Sequence, residues 1–371
     1  MKEPIRVLQL FTVLNRGGAE TNIMNYYRKI DRTKIQFDFI VHRQEIGAFE
    51  QEILSLGGKI FRLPPINPFK LKNYKKQLNY FFDNNNYSII HGHCCELGYY
   101  IYKEASKRKL PVIIAHGHYT KHIFDLKLPF KLFWKKRMLK YLNTFFSCGQ
   151  QASVSLFGKK LANQAFIMKN AIDSNDFKYN EFKNLEKRLE LNAQQTINII
   201  NVGSFVKSKN HDFAIDVFNG FLKIHPNSKM FFVGKGKLFK ALKNKINKLN
   251  LQEKILFLGV RNDVNQILQA MNFLLFPSID EGLPVSLIEA QAAGLKCFIS
   301  DGVPIESILI NENVEVIALK KSPEFWAKQI FKSINHQKQD VSKNIIESGY
   351  DINLNVRILE NKYLELLANN S

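Results

Sequence analysis

Short apolar runs alternate with stretches of helical spacing from the start of the chain. Residues 5–14 form an apolar run that Gly17-Gly18 interrupts. Residues 19–30 then carry Ile23, Tyr26, Tyr27 and Ile30 three or four positions apart, the period of a helix with one buried face. The same reading predicts a strand over 36–42, a helix over 49–56 stopped by Gly57-Gly58, and a strand over 59–63 closed by Pro64-Pro65. A helix over 71–83, a strand over 88–91, a helix over 97–108 and a strand over 111–115 follow. Strands that alternate with helices in this way pair in parallel, because each helix serves as the crossover that returns the chain to the same edge of the sheet.

Between Lys169 and Gln195 the chain turns polar, with Asn170, Asp173, Ser174, Asn175 and Asp176 ahead of a charged stretch, which predicts a linker over 171–196. The alternation then resumes, with strands at 197–202, 229–233, 255–258 and 273–276 and helices at 212–224, 237–249 and 264–270. The predicted fold is α/β, with one doubly wound Rossmann-like domain over 1–170, a second over 197–348, and a closing segment over 349–371. Sheets of this kind bind ligands at the carboxyl ends of their strands, so the expected site is a cleft that the two domains face.

Composition places the chain among ordinary globular proteins: 45% of its 371 residues are hydrophobic and 23% charged, which excludes a disordered tail or a disulfide scaffold. Charge is less ordinary. The net is +20, and residues 1–170 hold 28 Lys and Arg against 11 Asp and Glu, while 171–371 hold 25 against 22. The first half therefore carries the field that attracts anionic partners. Cys94, Cys95, Cys148 and Cys297 form no CxxC pair and are expected to be reduced, buried small hydrophobes. Met1-Lys2-Glu3-Pro4 leads straight into the first apolar run with no signal-peptide pattern, and no stretch approaches 18 apolar residues, so a cytoplasmic location is expected.

Four strand ends carry candidate chemistry. Glu281 and Gly282 lie in a loop after strand 273–276, Pro284 suits the first turn of a helix that Gly294 stops, and Glu289 falls inside that helix. Two carboxylates so placed can face one cleft and accept hydrogen bonds from sugar hydroxyls. The plainer alternative is a solvated Glu281, with Glu289 paired to a lysine. Gly203-Ser204 through Lys207 and Lys209 to His211 opens a helix, where a lysine and free N–H groups can hold a diphosphate. Gly234 and Gly236 end another strand and would let a nucleotide approach the backbone. Val260 and Arg261 end a fourth and can hold a flat base.

With these residues together, the chain resembles the retaining glycosyltransferases of family 4, which have the two-domain GT-B fold. The resemblance spans nearly the whole chain. Its marks are Glu281-Gly-Leu-Pro through Glu289-Ala-Gln-Ala-Ala-Gly294, the Lys209 loop, the box Gly259-Val-Arg-Asn-Asp-Val264, and Gly17-Gly18-Ala19-Glu20 after the first strand. The resemblance implies that Glu281, with Gly282 and Leu283, holds the donor sugar and Glu289 the ribose diol. Lys209 would hold the diphosphate and Val260 with Arg261 the base, and Gly17, Gly18, Ser204 and Gly234 would also belong to the donor site. It also implies that Tyr350-Asp351-Ile352 and the amphipathic stretch 356–367 cross back onto the first domain. Where the family has an arginine, five residues before the loop lysine, this chain has Ser204, and Lys207 is the nearby replacement. A hydroxyl does not supply the delocalised cation that a diphosphate pairs with.

His91, His93, His116 and His118 end two strands of the first half. Two His-x-His pairs on separate loops converge on a metal only seldom without a carboxylate, so no metal is expected. No Asp-x-Asp occurs in the chain. Solvated or structural loop histidines are the plainer alternative, while the resemblance implies that a histidine here, His118 in preference to His116, contacts the reacting sugar and its acceptor. The stretch 130–146 sets Phe130, Phe133, Trp134, Leu139 and Leu142 among Lys131, Lys135, Lys136, Arg137 and Lys140, and 71–82 is similar. Basic helices with aromatic anchors bind the interface of an anionic membrane, which predicts a peripheral protein at its inner face. No nucleic-acid motif is present, and no nucleic-acid partner is expected.

The expected activity is thus metal-independent transfer of a sugar, with no cofactor, from a nucleoside diphosphate sugar of the UDP type to a lipid-linked or growing saccharide. Capsule or exopolysaccharide synthesis is the setting the resemblance implies. A sugar-nucleotide 2-epimerase and an inactive nucleotide-sugar-binding protein are the competing readings.

Overall fold

The computed structural model describes residues 3–118 and 128–370. Met1 and Lys2 lie outside the described residues, as do the side chains of 95, 96 and 128–131, among them Cys95, Phe130 and Lys131. The chain forms two compact units, one comprising Met1–Ala171 with Asp351–Ser371 and the other Ile172–Tyr350.

In the first unit the strands are β1 (Ile5–Leu10), β2 (Ile35–Val41), β3 (Ile60–Arg62), β4 (Ile89–Gly92), β5 (Val112–Gly117), β6 (Thr144–Ser147) and β7 (Phe166–Ile167). They lie in the order β3-β2-β1-β4-β5-β6-β7, every pairing parallel. The second unit contains β8 (Ile197–Val202), β9 (Ser228–Val233), β10 (Ile255–Gly259), β11 (Phe273–Phe276), β12 (Lys296–Ser300) and β13 (Val314–Ile317). Their order is β10-β9-β8-β11-β12-β13, again parallel throughout. Both sheets are doubly wound as the sequence predicts. Each reverses direction of growth once, at β1/β4 and at β8/β11, where successive loops leave to opposite faces and open a crevice.

Side chains alternate across each strand, so the two faces of the first sheet build separate cores. Val7, Ile89, Val112 and Ile114 pack on one face with Ile23, Tyr26 and Tyr27 of the helix Gly18–Lys29. Leu8, Leu10, Ile90, Ile113 and Ala115 pack on the other with Tyr74, Leu78, Ile101 and Tyr102. The last helix, Ile352–Ala368, covers the first face: Ile352, Val356, Leu359 and Tyr363 form its buried stripe. Asp351 caps that helix by accepting from the Asn353 N–H at 2.9 Å, and Glu360 accepts from the Asp31 N–H at 2.8 Å.

Two expectations need correction. The linker expected over 171–196 lies almost wholly within the second unit, which begins at Ile172, and it carries the helices Ser174–Phe177 and Glu181–Glu190. Arg188 donates to Asn272 Oδ1 at 2.9 Å and to the carbonyls of Ala193, Gln194 and Thr196, and Gln269 Oε1 accepts from the Asn180 N–H at 3.0 Å. Polar anchors hold this stretch, which is why its composition resembles a loop. Residues 130–146 are likewise not one amphipathic helix. Helix Leu128–Met138 gives way to a 3-10 turn, Leu139–Tyr141, and then to β6, where Phe146 is buried. Trp134 packs against Tyr99 and Tyr100 at 4.7 and 5.7 Å, while Leu132 and Phe133 stay exposed. Cys148 and Cys297 are buried thiols and Cys94 is partly exposed.

Candidate functional site

The crevice of the second unit is bridged by an ion pair. After β8 the chain runs through Gly203 and Ser204 to a 3-10 turn, Lys207–Lys209, and Asn210 adopts the left-handed conformation (φ 54°) that starts the helix His211–Ile224. After β11 the loop carries Glu281. Lys209 Nζ donates to Glu281 Oε1 at 2.6 Å and Oε2 at 2.7 Å, and lies 5.2 Å from the Phe276 ring centre. The Ile279 N–H donates to the Ser208 carbonyl at 2.7 Å and locks the two loops together. Glu281 is thus neither solvated nor remote from the phosphate loop: it is buried and holds the very lysine expected to bind the diphosphate.

The neighbouring strand ends show why they carry glycine. Gly234 has φ 143°, and a Cβ there would lie 2.1 Å from the Gly203 carbonyl oxygen, so the β8 and β9 loops can touch only without a side chain. Arg261 has partners other than the base expected of it. Its guanidinium donates twice to Asp263, at 2.7 Å each, and once to Glu190 at 3.1 Å, and Lys187 Nζ joins at 2.9 Å from Asp263. These partners raise the Arg261 pKa and hold the Asp263 carboxyl below its usual range. Val260 is exposed beside this network.

Glu289 lies in the helix Val285–Ala292, and burial pushes its carboxyl up to about 7. Pro284 precedes that helix in an extended conformation rather than joining its first turn. Ser204 and Lys207 are exposed. Gly282 and Leu283 continue the Glu281 loop, with Leu283 buried. His211 is buried against Phe205 and Phe232, and burial, with the Lys209 charge, lowers its pKa to about 4.

The crevice of the first unit is lined by histidines instead of charges. His91 lies in β4 and His116 in β5, and His93 and His118 follow two residues on, so the period of two places all four on one sheet face. His91 Nε2 and His116 Nδ1 are 3.0 Å apart, and His93 Nδ1 and His118 Nε2 2.9 Å. Gln9 of β1 receives His93 Nε2 on its Oε1 at 2.9 Å, and Tyr363 Oη meets His91 Nδ1 at 2.6 Å. Phe11 stacks on His93 at 4.4 Å. Burial holds all four rings neutral, with His118 lowered to about 3 and the others well below their ordinary value.

Nitrogens of His91, His93 and His116 lie within 4.8 Å of one another. Their rings stack, however, at 9° for His91 with His116 and 28° for His91 with His93. His93 and His116 are tilted by 37°, and His91 Nε2 and His116 Nδ1 engage each other in a hydrogen bond instead of both offering a lone pair to one ion as tetrahedral ligation requires. The arrangement is that of a hydrogen-bonded stack.

Gly17 precedes the helix Gly18–Lys29 at this crevice, and a Cβ on it would lie 2.2 Å from Glu20 Oε2. The Glu20 carboxyl folds over Gly17, and burial raises it to about 7.

Residues 182–351 match the family described as glycosyl transferases group 1. The chain is 30% identical over 371 residues to the glycosyltransferase EpsF of Bacillus subtilis, covering 96% of each. The chain belongs to the group 1 glycosyltransferases. This glycosyltransferase is also 27% identical to the capsular polysaccharide biosynthesis glycosyltransferase CapH of Staphylococcus aureus, over 97% of this chain and 99% of that one. Among solved structures, Anabaena HepE in complex with UDP and glucose aligns with a TM-score of 0.78 at 17% identity, over 97% of this chain and 99% of that one. That likeness is one of fold, the GT-B class of two Rossmann-like units.

Of the residues read from the glycosyltransferase sequence, the structure joins Lys209 to Glu281 in one crevice and His116 and His118 to His91 and His93 in the other. Gln9 and Tyr363 were missed. A glutamine inside the apolar run of β1 is a readable signal, since a buried amide needs partners. Tyr363 looks in sequence like any other member of an amphipathic helix.

Proposed function

We propose that this glycosyltransferase moves a sugar from a UDP sugar to a lipid-linked or growing saccharide in capsule or exopolysaccharide synthesis, with retention of anomeric configuration and without a metal. The bidentate Lys209–Glu281 pair carries the reading. A lysine held by a carboxylate at a strand switch is poised for exchange: an incoming diphosphate takes over Lys209, and the released Glu281 accepts hydrogen bonds from donor hydroxyls. Glu289, half-buried one turn into the next helix, is the acceptor for the ribose diol. The base rests on the backbone at Val260, with Arg261 bracing that loop through Asp263 and Glu190 instead of touching the nucleotide.

In the chemical step the bond from C1 to the phosphate oxygen breaks and a bond from C1 to the acceptor oxygen forms on the same face. The acceptor's proton passes to the leaving phosphate oxygen, and the products are the new glycoside and the nucleoside diphosphate. Lys209 and the N-terminus of helix His211–Ile224 take up the charge that develops on the leaving group. His118 contacts the reacting sugar and the acceptor. The UDP in the HepE structure supports the choice of base, and the capsular role named for CapH supports the setting.

The first unit is proposed to rest on the anionic inner face of the cell membrane. No helix among the described residues is long and apolar enough to cross one. Helix Leu71–Asn84 exposes Lys72, Lys75, Lys76 and Tyr80, and Phe69 just before it is 97% exposed. Helix Leu128–Met138 exposes Leu132, Phe133, Lys136 and Arg137. Both helices pack on the same core, so bases and apolar tips share one side of the sheet.

Incubation with a panel of sugar nucleotides, with and without undecaprenyl-diphosphate saccharides, tests the activity. Transfer from a UDP sugar with an α-configured product is expected. A product of inverted configuration overturns retention, and an epimerised nucleotide with no transfer replaces the reading with the epimerase.

A further inference from the structure

Four neutral imidazoles in one stack each hold a single hydrogen on one of two nitrogens, and the amide of Gln9 decides which. An amide oxygen only accepts, so His93 Nε2, 2.9 Å from Gln9 Oε1, must carry the hydrogen. His93 Nδ1 is then the lone-pair nitrogen, and the hydrogen between it and His118 Nε2 at 2.9 Å belongs to His118. The other end of the same amide faces the other arm. Gln9 Nε2 donates to Tyr363 Oη at 3.5 Å, Tyr363 turns its own hydrogen to His91 Nδ1 at 2.6 Å, and His91 Nε2 donates to His116 Nδ1 at 3.0 Å. Along both arms the hydrogens thus agree with one direction of a single side-chain amide.

We propose that Gln9 is a positioning residue that sets the tautomer of His118, placing its hydrogen on Nε2 and its lone pair on Nδ1, and that Tyr363 holds the Gln9 amide in the orientation that does so. The inference rests on the reading of His118 as the side chain that contacts the reacting sugar and its acceptor. In this tautomer His118 Nδ1 accepts a hydrogen bond from a sugar or acceptor hydroxyl. In the other it would present an N–H to the same hydroxyl. Turning the Gln9 amide over would put its oxygen against Tyr363 and its NH2 against His93. Tyr363 would then donate to Gln9, and His93, His118, His91 and His116 would all have to exchange hydrogens. Because the two arms share one amide, they can reverse only together, and chains of hydrogen bonds resist such reversal by polarising one another.

Tyr363 lies in the last helix, and Gln9 in the first strand, so the two ends of the chain meet at this ring stack. The C-terminal helix therefore has a chemical part as well as a packing one. It supplies the hydroxyl that accepts from Gln9 and donates to His91.

The test is nitrogen-15 spectroscopy of the full chain labelled at histidine, with His118 assigned by its loss in His118→Ala. Ring nitrogens with and without hydrogen resonate far apart, so the tautomer is read directly. The native protein is expected to show hydrogen on His118 Nε2. Gln9→Met, close to isosteric and without either hydrogen-bonding end, should give His118 as a mixture of tautomers and reduce turnover about tenfold while the donor KM changes little. Tyr363→Phe, which leaves Gln9 in place but free to turn, should give a smaller admixture, and it keeps the test available if Gln9→Met does not fold. A native His118 with its hydrogen on Nδ1, or a His118 tautomer unchanged in every folded variant, overturns the inference. Full turnover in His118→Ala overturns instead the role given to His118, and leaves the tautomer result standing by itself.

Discussion

The two crevices occupy equivalent places in their sheets and use opposite chemistry. At β8/β11 the second unit, whose half of the sequence is nearly neutral, buries a lysine and a glutamate against each other. At β1/β4 the first unit, from the half that carries +17, presents stacked rings that burial keeps neutral. Net charge therefore says little about the charge at a site. A cation is kept in a crevice only where a partner offsets its desolvation, as Glu281 does for Lys209, and a titratable group without one gives up its charge.

The largest expected effect separates the units by acid. His42, His91, His93, His116 and His118 of the first unit have pKa values lowered by burial, whereas the second has His211 and His336. Between about pH 6.5 and their lowered values the unfolded chain takes up protons that the native rings refuse. Each fully buried ring of the stack therefore removes up to about 1.4 kcal/mol of stability per pH unit as pH falls. Glu20 and Glu289, raised to about 7, act in the opposite sense, one in each unit. Amide exchange at pH 5 should thus open β4 and β5 before β8 and β11, and the reverse order would break the contrast.

Next in size is Glu281→Gln. Losing the carboxylate should lower turnover on the order of 10² or more while raising the donor KM by less, if its contacts tighten in the transition state. Turnover near that of the native protein would remove Glu281 from the site. The surface contrast comes third. Replacing Lys136, Arg137 and Lys140 by Gln should weaken binding to anionic vesicles by about 1 kcal/mol per charge, with hydrolysis of a soluble donor unchanged. Lys135 is left in place because its Nζ donates to the Ser155 carbonyl at 2.5 Å. Vesicle binding that survives at high salt would mean that apolar contacts, not charge, hold the protein there.

Smaller effects sharpen the phosphate site. Lys209→Ala should weaken UDP about tenfold and uridine hardly at all, since only the diphosphate gains from the cation. Equal losses for both would assign Lys209 to holding Glu281 and nothing more. Ser204→Arg should tighten UDP severalfold, as the exposed hydroxyl gives way to a guanidinium beside the same loop. Weaker binding would show that the loop is built around Lys207 without room for an arginine.

Residue order alone makes the two parallel sheets legible, because a helix-period stretch between short apolar runs permits little besides a crossover. It also singled out Lys209, Glu281 and the His-x-His pairs, whose residue types are rare in apolar surroundings. It misread 171–196, where Arg188 and Lys187 anchor a helix through polar contacts that look like solvent exposure, and 130–146, where one aromatic run serves helix, turn and strand in succession. Only the assembled sheets show that Lys209 donates to Glu281, 72 positions away, that Arg261 spends its charge on Asp263 and Glu190, and that Gln9 and Tyr363, 354 positions apart, order the hydrogens of the histidines. Periodicity records which face of an element is buried. Which polar atoms meet there depends on strand order and register, and those are fixed only when the sheet assembles.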